Sequence, residues 1–411
     1  MRSWSRRRVL AALAVGLAPT PRVRSSHLRY KVLVGLERLE AENGGALRGR
    51  TVGLLAHAPS VTTAGRHAVD VLLEAGVKIV RLFGPEHGLR GEAAAGERVT
   101  SGVDSATGLP FVSLYGKRQK PDPADLNGLD ALVIDLQGAG VRFYTYGATL
   151  LLCLEVAAGV GTPVWVLDRP NPLGGDLIEG PERDPAQPVT LVSTTPGPLV
   201  HGLTVGEMSR FANARRSRPA RLDVVPMTHW TRNLTWELTG RRWVRPSPNL
   251  RTAEAALVYP GTCLLEGTNV TEGRGTSDPF LIFGAPWLRT EPLVAALSPP
   301  GLALEPLSFT PESSPAAPRP KHLGIPCAGV RVRVTDSSLV RPYAFGLDLL
   351  AALRRQPEFE WARGGARLDT LLGTGSVRAA LDRGDPVSEI LAADAPAIER
   401  FKRDRRDALL Y

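Results

Sequence analysis

The chain has 411 residues, of which 43% are hydrophobic, and a formal net charge of +9. This length exceeds what one hydrophobic core usually serves, and the composition is that of a globular protein, so we expect two domains. Six of the positive charges are arginines in the first 26 residues, which contain no acid; the remaining +3 does not call for nucleic acid or another polyanion as a partner.

The first 26 residues are predicted to be an export signal. A basic stretch with Arg6, Arg7 and Arg8 precedes an apolar run that starts at Val9 and ends in a Pro/Thr break, which is the order of a secretory signal. Residues 5–10 also resemble a twin-arginine signal; a basic disordered tail is the alternative. We expect an exported protein, periplasmic or extracellular, with no membrane span, because no later segment has about 20 consecutive apolar residues.

Cysteines and histidines give no sign of a disulfide framework or a metal site. Cys153, Cys263 and Cys327 are odd in number and far apart, and no C-x-x-C spacing occurs. No second His or Cys lies three to five residues from His87, as zinc ligands usually do. We therefore expect buried thiols and no bound metal.

Short apolar runs alternate with amphipathic stretches between Arg50 and about Pro226. This order predicts a parallel sheet covered by helices on both faces, in a first domain of residues 27–245. The composition changes after Trp243, and a strand near 329–336 followed by a helix near 342–355 predicts a smaller α/β domain over residues 246–411. The proline-rich segment from Leu297 to Leu323 is predicted to be a long surface loop.

Three predicted strands end in polar residues, which are Glu86-His87, Asp135-Leu136-Gln137 and Asp168-Arg169. Ligands of open α/β sheets bind at the carboxyl ends of the strands, so we expect the site there. In FGPEHG, Glu86 is a candidate proton donor, because a carboxyl group in a partly apolar pocket has a raised pKa. The alternative is that Glu86 caps the next turn while His87 packs against the sheet edge.

Two further segments offer groups for binding a ligand. VRFYTY presents Arg142 and Tyr144, which suit a ligand with a carboxylate and a sugar face; a structural ion pair between Asp135 and Arg142 is the alternative. LLEGTNVTEGRGT is a compact loop that could face a pocket between the domains or simply be a solvated turn. Its polar side chains are Glu266, Asn269, Glu272 and Arg274.

The remaining motifs are less informative. Turn chemistry alone explains much of LDRPNPLGG, the segment that contains Asp168. The glycines around Gly138 match neither G-x-G-x-x-G nor G-x-x-x-x-G-K-[ST], so we expect no nucleotide cofactor.

Taken together, these segments resemble the NamZ-type exo-β-N-acetylmuramidases, a glycoside hydrolase family of bacterial cell-wall recycling. The resemblance covers most of the chain from about Gly35 to Tyr411. Its markers, in order, are FGPEHGLRGEAAAGE, SLYGKRQKP, VRFYTY, LDRPNPLGG, IEGP, HGLTVGE, PSPN and EGTNVTEGRGT. It implies a Rossmann-like catalytic domain and a smaller C-terminal domain with the active site in the cleft between them. It also implies release of β-1,4-linked N-acetylmuramic acid from the non-reducing end of peptidoglycan fragments, without a metal or organic cofactor.

The resemblance further implies roles for individual residues. Glu86 would be the general acid, and His87 would position or tune it. The substrate-binding residues would be Arg142, Tyr144, Asp168, Asn249, Glu266, Asn269, Glu272 and Arg274. The lactyl carboxylate of the sugar calls for a cation, which Arg142 or Arg274 could supply. The second catalytic carboxylate stays open among Glu92, Glu97, Asp135, Glu266 and Glu272, as does the choice between retention and inversion.

The chain departs from the family pattern at three places. Gly138 stands where the family usually has the Asp of Gln-Asp-x-Gly, His57 stands in place of an Asn, and PSPN is followed by Leu250-Arg251-Thr252. The loss of a carboxylate at Gly138 raises the alternative of a non-catalytic protein that binds muropeptides or amino sugars. His57 raises a third possibility, a glycosidase of the same scaffold that acts on a different N-acetylated sugar.

Overall fold

The computed structural model describes residues 31–91, 93, 96, 97 and 100–411. The predicted export signal, residues 1–26, lies outside the described residues. Within the described part of the chain, no helix is long and apolar enough to cross a membrane.

The first domain is built on a seven-stranded sheet. Its strands are β1 (Thr51–Ala56), β2 (Lys78–Gly84), β3 (Gly102–Val103), β4 (Pro110–Ser113), β5 (Ala131–Asp135), β6 (Val164–Leu167) and β7 (Leu222–Val225). Its helices are α1 (Gly35–Ala41), α2 (Ala68–Glu74), α3 (Thr145–Val160) and α4 (Val205–Asn213). The strand order is β3-β4-β2-β1-β5-β6-β7, and every neighbouring pair is parallel except β3 with β4.

Both faces of the sheet are covered, which confirms the predicted fold class. On β1, Leu54 packs into one hydrophobic cluster and Leu55 into another, because successive side chains of a strand point to opposite faces. The central strand β5 is buried along its whole length. Near-continuous apolar strands are therefore the direct consequence of helices on both sides. The short antiparallel edge strand β3 was not predicted.

The second domain contains a three-stranded antiparallel sheet in the order β8-β10-β9. Its elements are α5 (Ala253–Thr262), β8 (Ile282–Ala285), α6 (Thr290–Ala295), β9 (Leu302–Phe309), β10 (Cys327–Val334), α7 (Pro342–Leu353), α8 (Ala366–Leu372), α9 (Ser376–Arg383) and α10 (Val387–Asp404). The predicted surface loop between Leu297 and Leu323 was wrong where β9 lies. Pro306 is tolerated there because β9 is an edge strand, where one side needs no backbone donor.

Helices α5 and α7 approach so closely that their backbones touch. A Cβ atom added to Gly261 would lie 2.1 Å from the carbonyl oxygen of Pro342, and one added to Gly346 would lie 2.7 Å from the Cα of Gly261. Both distances are far below van der Waals contact. The packing of the second domain thus depends on the absence of a side chain at these two positions.

Glu179 connects the two domains. Its Oε2 accepts a hydrogen bond of 3.0 Å from the backbone N–H of Tyr343 in the first turn of α7. Burial raises the pKa of Glu179 to about 7, although the Tyr343 N–H and the charge of Arg341 oppose the rise. A buried carboxylate at the junction should therefore make stability depend on pH.

We expect Gly261→Ala to lower the free energy of unfolding by about 3 kcal/mol, because the new methyl group forces α5 and α7 apart. The measurement is urea unfolding followed by circular dichroism. Gly159→Ala is the matched control: Gly159 lies on α3, where an added Cβ meets open space, so alanine should stabilise by about 0.5–1 kcal/mol. Equal effects of the two substitutions would contradict the close helix contact.

Glu179→Gln should make the protein less sensitive to pH. Since the folded pKa lies above the ordinary value of 4.5, the stability that the wild-type carboxyl contributes is complete below pH 4.5 and is lost as the pH rises through about 7. Relative to wild type, the variant should therefore gain up to about 3 kcal/mol between pH 4.5 and pH 8. Urea unfolding at several pH values measures this, with Glu389→Gln at an exposed position of α10 as control; a difference independent of pH would contradict it.

Candidate active site

A cleft of about 610 Å³ lies between the two domains. The first domain contributes residues that follow β2 and β4 or lie at the start of α3, namely Glu86, His87, Tyr115, Tyr144 and Thr145. The second domain contributes Tyr259, Glu266, Glu272, Arg274, Lys321, Arg363 and Arg367, among others. Of the predicted site residues, the cleft thus brings together Glu86, His87, Tyr144, Glu266, Glu272 and Arg274.

Glu86 is partly buried at the end of β2, and its carboxylate receives uncharged donors. Oε1 accepts from the backbone N–H of Gly96 at 3.0 Å, and Oε2 accepts from Thr145 Oγ1 at 2.9 Å. Burial raises the pKa of Tyr115, and the neighbouring Glu86 carboxylate adds to the rise. No ion pair between Glu86 and a cation occurs in the described part of the chain. The hydrogen bond from Gly96 shows that Glu86 also binds the loop that follows β2. This contact resembles the turn-capping role that the sequence analysis gave as the alternative for Glu86.

His87 turns the chain immediately after Glu86. Its φ is 70°, a left-handed conformation that few residues other than glycine adopt. The ring is buried, and Nδ1 lies 2.7 Å from the carbonyl oxygen of Ala93, so Nδ1 carries a proton because a carbonyl only accepts. His87 therefore holds the loop that follows Glu86 while it also lines the cleft.

The opposite wall carries a cluster of carboxylates and cations. Nη1 of Arg274 lies 2.6 Å from Glu266 Oε1 and 2.6 Å from Glu272 Oε1. Arg367 binds the other oxygen of Glu266, and Nζ of Lys321 lies 3.3 Å from Glu272 Oε2. The alternative of a solvated turn is therefore wrong, because these side chains form an ordered ionic cluster that lines the cleft.

The cations of this cluster keep both carboxylates ionised. Burial opposes ionisation, but Arg274 and Arg367 together lower the pKa of Glu266 to about 2. The pKa of Glu272 is also lowered against the effect of burial, by Lys321 and Arg274. The cleft thus holds carboxyl groups in two environments: Glu86 has neutral donors, whereas Glu266 and Glu272 have cations.

An aromatic wall completes the cleft. The ring of Tyr144 makes edge contacts with Tyr146 at 4.9 Å and with Tyr259 at 6.1 Å between ring centres. Burial raises the pKa of Tyr144, so the phenol stays protonated. The ring of Tyr144 is thus packed between two other tyrosines where it borders the cleft.

Arg142 lies away from the cleft, contrary to its predicted role. It is fully buried, and its Nη1 donates to the carbonyl oxygens of Pro181 and Gly197 at 2.8 and 2.9 Å. Its Nη2 donates to the carbonyl oxygen of Leu372 in the second domain. The buried guanidinium thus ties the two domains together through backbone carbonyls.

Asp135 does not pair with Arg142 either. Its carboxylate accepts from Nε and Nη2 of Arg169, the latter at 2.8 Å, and both side chains are buried. The alternative ion pair proposed from the sequence was wrong, because the partner is the arginine that follows the neighbouring strand β6. Asp135 is therefore a structural residue of the sheet edge.

The side chains of three other predicted ligand-binding residues form hydrogen bonds with other groups of the protein. Asp168 accepts from the backbone N–H of Gly206 at 2.8 Å and from the Tyr411 hydroxyl at 2.7 Å, besides Thr204 and its neighbour Arg169. Asn249 donates to the carbonyl of Ala316 at 2.8 Å. Asn269 donates to the carbonyl of Glu358 at 2.7 Å. The two asparagines fix loops around the cleft rather than lining it.

Two of the three positions that depart from the family pattern, Gly138 and His57, lie outside the lining of the cleft. Gly138 lines a separate small cavity of about 30 Å³, where a Cβ would lie 3.3 Å from Val205. Tyr144 borders both this cavity and the cleft. Burial holds the pKa of His57 well below its usual value, and its neutral Nε2 accepts from the backbone N–H of Gln137 at 2.8 Å. Neither position lines the cleft beside Glu86.

Neither Glu92 nor Glu97 can be assigned to the cleft as the second catalytic carboxylate. Glu92 lies outside the described residues, and Glu97 is exposed and does not line the cleft.

Several residues that line the cleft were not predicted from the sequence. Tyr115 and Thr145 lie within SLYGKRQKP and VRFYTY, so the motifs indicated the segments but not these side chains. Lys321, Arg363 and Arg367 belong to no marker motif, and only the folded chain brings them to the cleft.

Comparisons with known proteins agree over both domains. Residues 52–254 match the family model described as exo-beta-N-acetylmuramidase NamZ, N-terminal, and residues 257–411 match its C-terminal counterpart. The peptidoglycan beta-N-acetylmuramidase NamZ of Bacillus subtilis strain 168 is 40% identical over 387 residues, which cover 93% of this chain and 92% of that protein.

Two solved structures of DUF1343 family proteins from Bacteroides fragilis NCTC 9343 share the fold. One has a TM-score of 0.84 and 30% identity, covering 93% of this chain and 100% of its own. The other has a TM-score of 0.77 and 30% identity, covering 93% of this chain and 99% of its own.

Arg142→Met should lower the free energy of unfolding by about 3 kcal/mol or more, because the apolar side chain leaves buried carbonyl oxygens of both domains without donors. Chemical unfolding measures this loss, and Arg218→Met at an exposed position is the control. A variant that keeps wild-type stability but binds substrate less tightly would show instead that Arg142 contacts the ligand.

Proposed function

This chain belongs to the NamZ family of exo-β-N-acetylmuramidases, and we propose that Glu86 is the general acid with which it releases N-acetylmuramic acid from the non-reducing end of peptidoglycan fragments. The observation that carries this proposal is the contrast within the cleft. Glu86 is surrounded by uncharged donors, whereas cations hold Glu266 and Glu272 ionised.

Glycoside cleavage needs a protonated carboxyl at the leaving oxygen. Glu86 gives its proton to the glycosidic oxygen as the bond to the sugar breaks. The Thr145 hydroxyl and the Gly96 N–H, which already donate to the carboxylate, stabilise the negative charge that remains. His87 acts as a positioning residue, because its contact with Ala93 O fixes the loop that contains Glu86.

Glu272 is the best candidate for the second carboxylate. Both oxygens of Glu266 accept hydrogen bonds from Arg274 or Arg367. Oε2 of Glu272 accepts no hydrogen bond from a described residue and lies 3.3 Å from Nζ of Lys321, so Glu272 is the less tightly held of the two carboxylates and the better candidate to assist water or the oxocarbenium-like sugar. Tyr144 supports the proposal from the first domain, since an aromatic ring at the cleft suits the apolar face of a sugar.

Export is part of the proposal. The order of a basic stretch and an apolar run in the first 26 residues is that of a secretory signal, and peptidoglycan lies outside the cytoplasmic membrane.

The alternative function is that of a binding protein without catalytic activity. It was suggested by the absence of a carboxylate at Gly138. That position does not line the cleft, and Glu86 and Glu272 are both present there, so we favour the enzyme.

Glu86→Gln should reduce kcat on the disaccharide N-acetylmuramyl-β-1,4-N-acetylglucosamine by about 10²- to 10⁴-fold, the range expected for loss of a general acid. The loss should be much smaller on a dinitrophenyl β-N-acetylmuramide, whose leaving group departs without protonation. Glu272→Gln should slow both substrates to a similar extent, because that carboxylate acts on the sugar. Chromophore release and sugar analysis measure the two reactions.

Glu291→Gln, an exposed substitution on α6, is the control, and circular dichroism checks that each variant is folded. Equal losses on both substrates for Glu86→Gln would argue against an acid role. Wild-type protein that binds muramyl sugars and releases none would instead support a binding protein.

A further inference from the structure

The second-domain wall of the cleft carries more positive charge than its carboxylates neutralise. Arg274, Arg367 and Lys321 engage Glu266 and Glu272. Two further arginines, Arg319 and Arg363, line the same cleft and are exposed, and their side chains make no hydrogen bond or ion pair with any other described residue. The cleft therefore offers free guanidinium groups to an anionic ligand.

Arg363 has a left-handed backbone conformation, which is unusual for a residue with a side chain. Arg363 has φ 52° and ψ 40°, and Gly364 and Gly365 after it are also left-handed, with φ of 62° and 94°. This conformation costs an L-residue roughly 1–2 kcal/mol and costs glycine almost nothing. Glycine would satisfy the backbone at position 363 as it does at the next two, so the presence of arginine points to a use for the guanidinium.

The segment that contains Arg363 is fixed to the EGTNVTEGRGT loop. The side chain of Asn269 donates to Glu358 O at 2.7 Å and accepts from Glu360 N at 3.1 Å, and its backbone N–H donates to Glu360 O at 3.0 Å. Thr268 and Trp361 form a β-bridge next to these contacts. Arg363 is thus anchored to the same loop that supplies Glu272, which makes Asn269 a positioning residue.

We propose that Arg363 binds the carboxylate of the lactyl group on C3 of the terminal N-acetylmuramic acid, and that this contact selects muramic acid over N-acetylglucosamine. The inference rests on the proposed function and names the residue behind its specificity. A guanidinium matches a carboxylate with two parallel hydrogen bonds. Of the two cations expected from the sequence, Arg142 is buried on backbone carbonyls and Arg274 already binds two carboxylates. Because a stem peptide converts the lactyl carboxylate into an amide, the cleft should prefer sugars without a peptide.

The test compares wild type with Arg363→Gly on three aryl β-glycosides: the N-acetylmuramide, its lactyl amide and the N-acetylglucosaminide. Glycine keeps the left-handed backbone, so the variant should be at least as stable as wild type in thermal unfolding. We expect KM for the muramide to rise about 10- to 100-fold, as for loss of a charge-assisted bidentate contact, with kcat changed less than about threefold. The KM values for the two neutral sugars should stay unchanged, and Arg363→Lys should restore part of the affinity for the muramide.

Arg355→Ala, at an exposed arginine outside the cleft, is the matched control, and Arg319→Ala tests the other free cation. A KM rise shared by the lactyl amide and the N-acetylglucosaminide would overturn the proposal, since it would indicate a displaced loop. Loss of the preference in Arg319→Ala but not in Arg363→Gly would also overturn it.

Calorimetric binding of free N-acetylmuramic acid and N-acetylglucosamine separates this inference from the catalytic role of Glu86, because it needs no turnover. Tighter binding of the acid that Arg363→Gly abolishes would support the carboxylate contact even if no glycoside were cleaved. Equal binding of the two sugars by wild type would overturn the contact even if the muramide were hydrolysed.

Discussion

The architecture of this protein follows from burying a parallel sheet on both faces. Central strands such as β1 and β5 are then largely apolar, and the polar side chains that can serve a site gather at or just after the carboxyl ends of the strands. Glu86 stands at such a position after β2, next to the second domain. The sheet is therefore both the core of the first domain and the support that holds an acid at the cleft.

Arginines have three different roles around the sheet and the cleft, and the hydrogen-bond partners of each guanidinium determine its role. Arg142 binds backbone carbonyls and joins the domains, and Arg274 binds two carboxylates and keeps them ionised. The Arg363 side chain has no partner among the described residues and lines the cleft. A guanidinium that already has carbonyl or carboxylate partners has few donors left for a ligand, so unpaired side chains such as that of Arg363 are the ones available to substrate.

In the proposed mechanism, each domain supplies one of the two carboxyl groups. The first domain provides Glu86 and the donors around its carboxylate, and the second provides the ionised Glu272. Hydrolysis of a glycoside needs both a proton donor and a second carboxylate on either side of the bond. Contacts such as Glu179 with Tyr343 hold these groups in one arrangement across the junction.

Much of this could be predicted from the sequence. Most strand and helix positions in the first domain follow from hydrophobic periodicity, and the order of long motifs identified the family and pointed to Glu86. The sequence could not show that β9 lies in a proline-rich segment, because an edge strand tolerates proline. Nor could it separate Arg142 and Asp168, which the fold uses internally, from Glu272 and Arg363. Periodicity and motifs report local backbone preferences and residue types, whereas the role of a polar side chain depends on which distant groups satisfy it, and only the tertiary structure decides that.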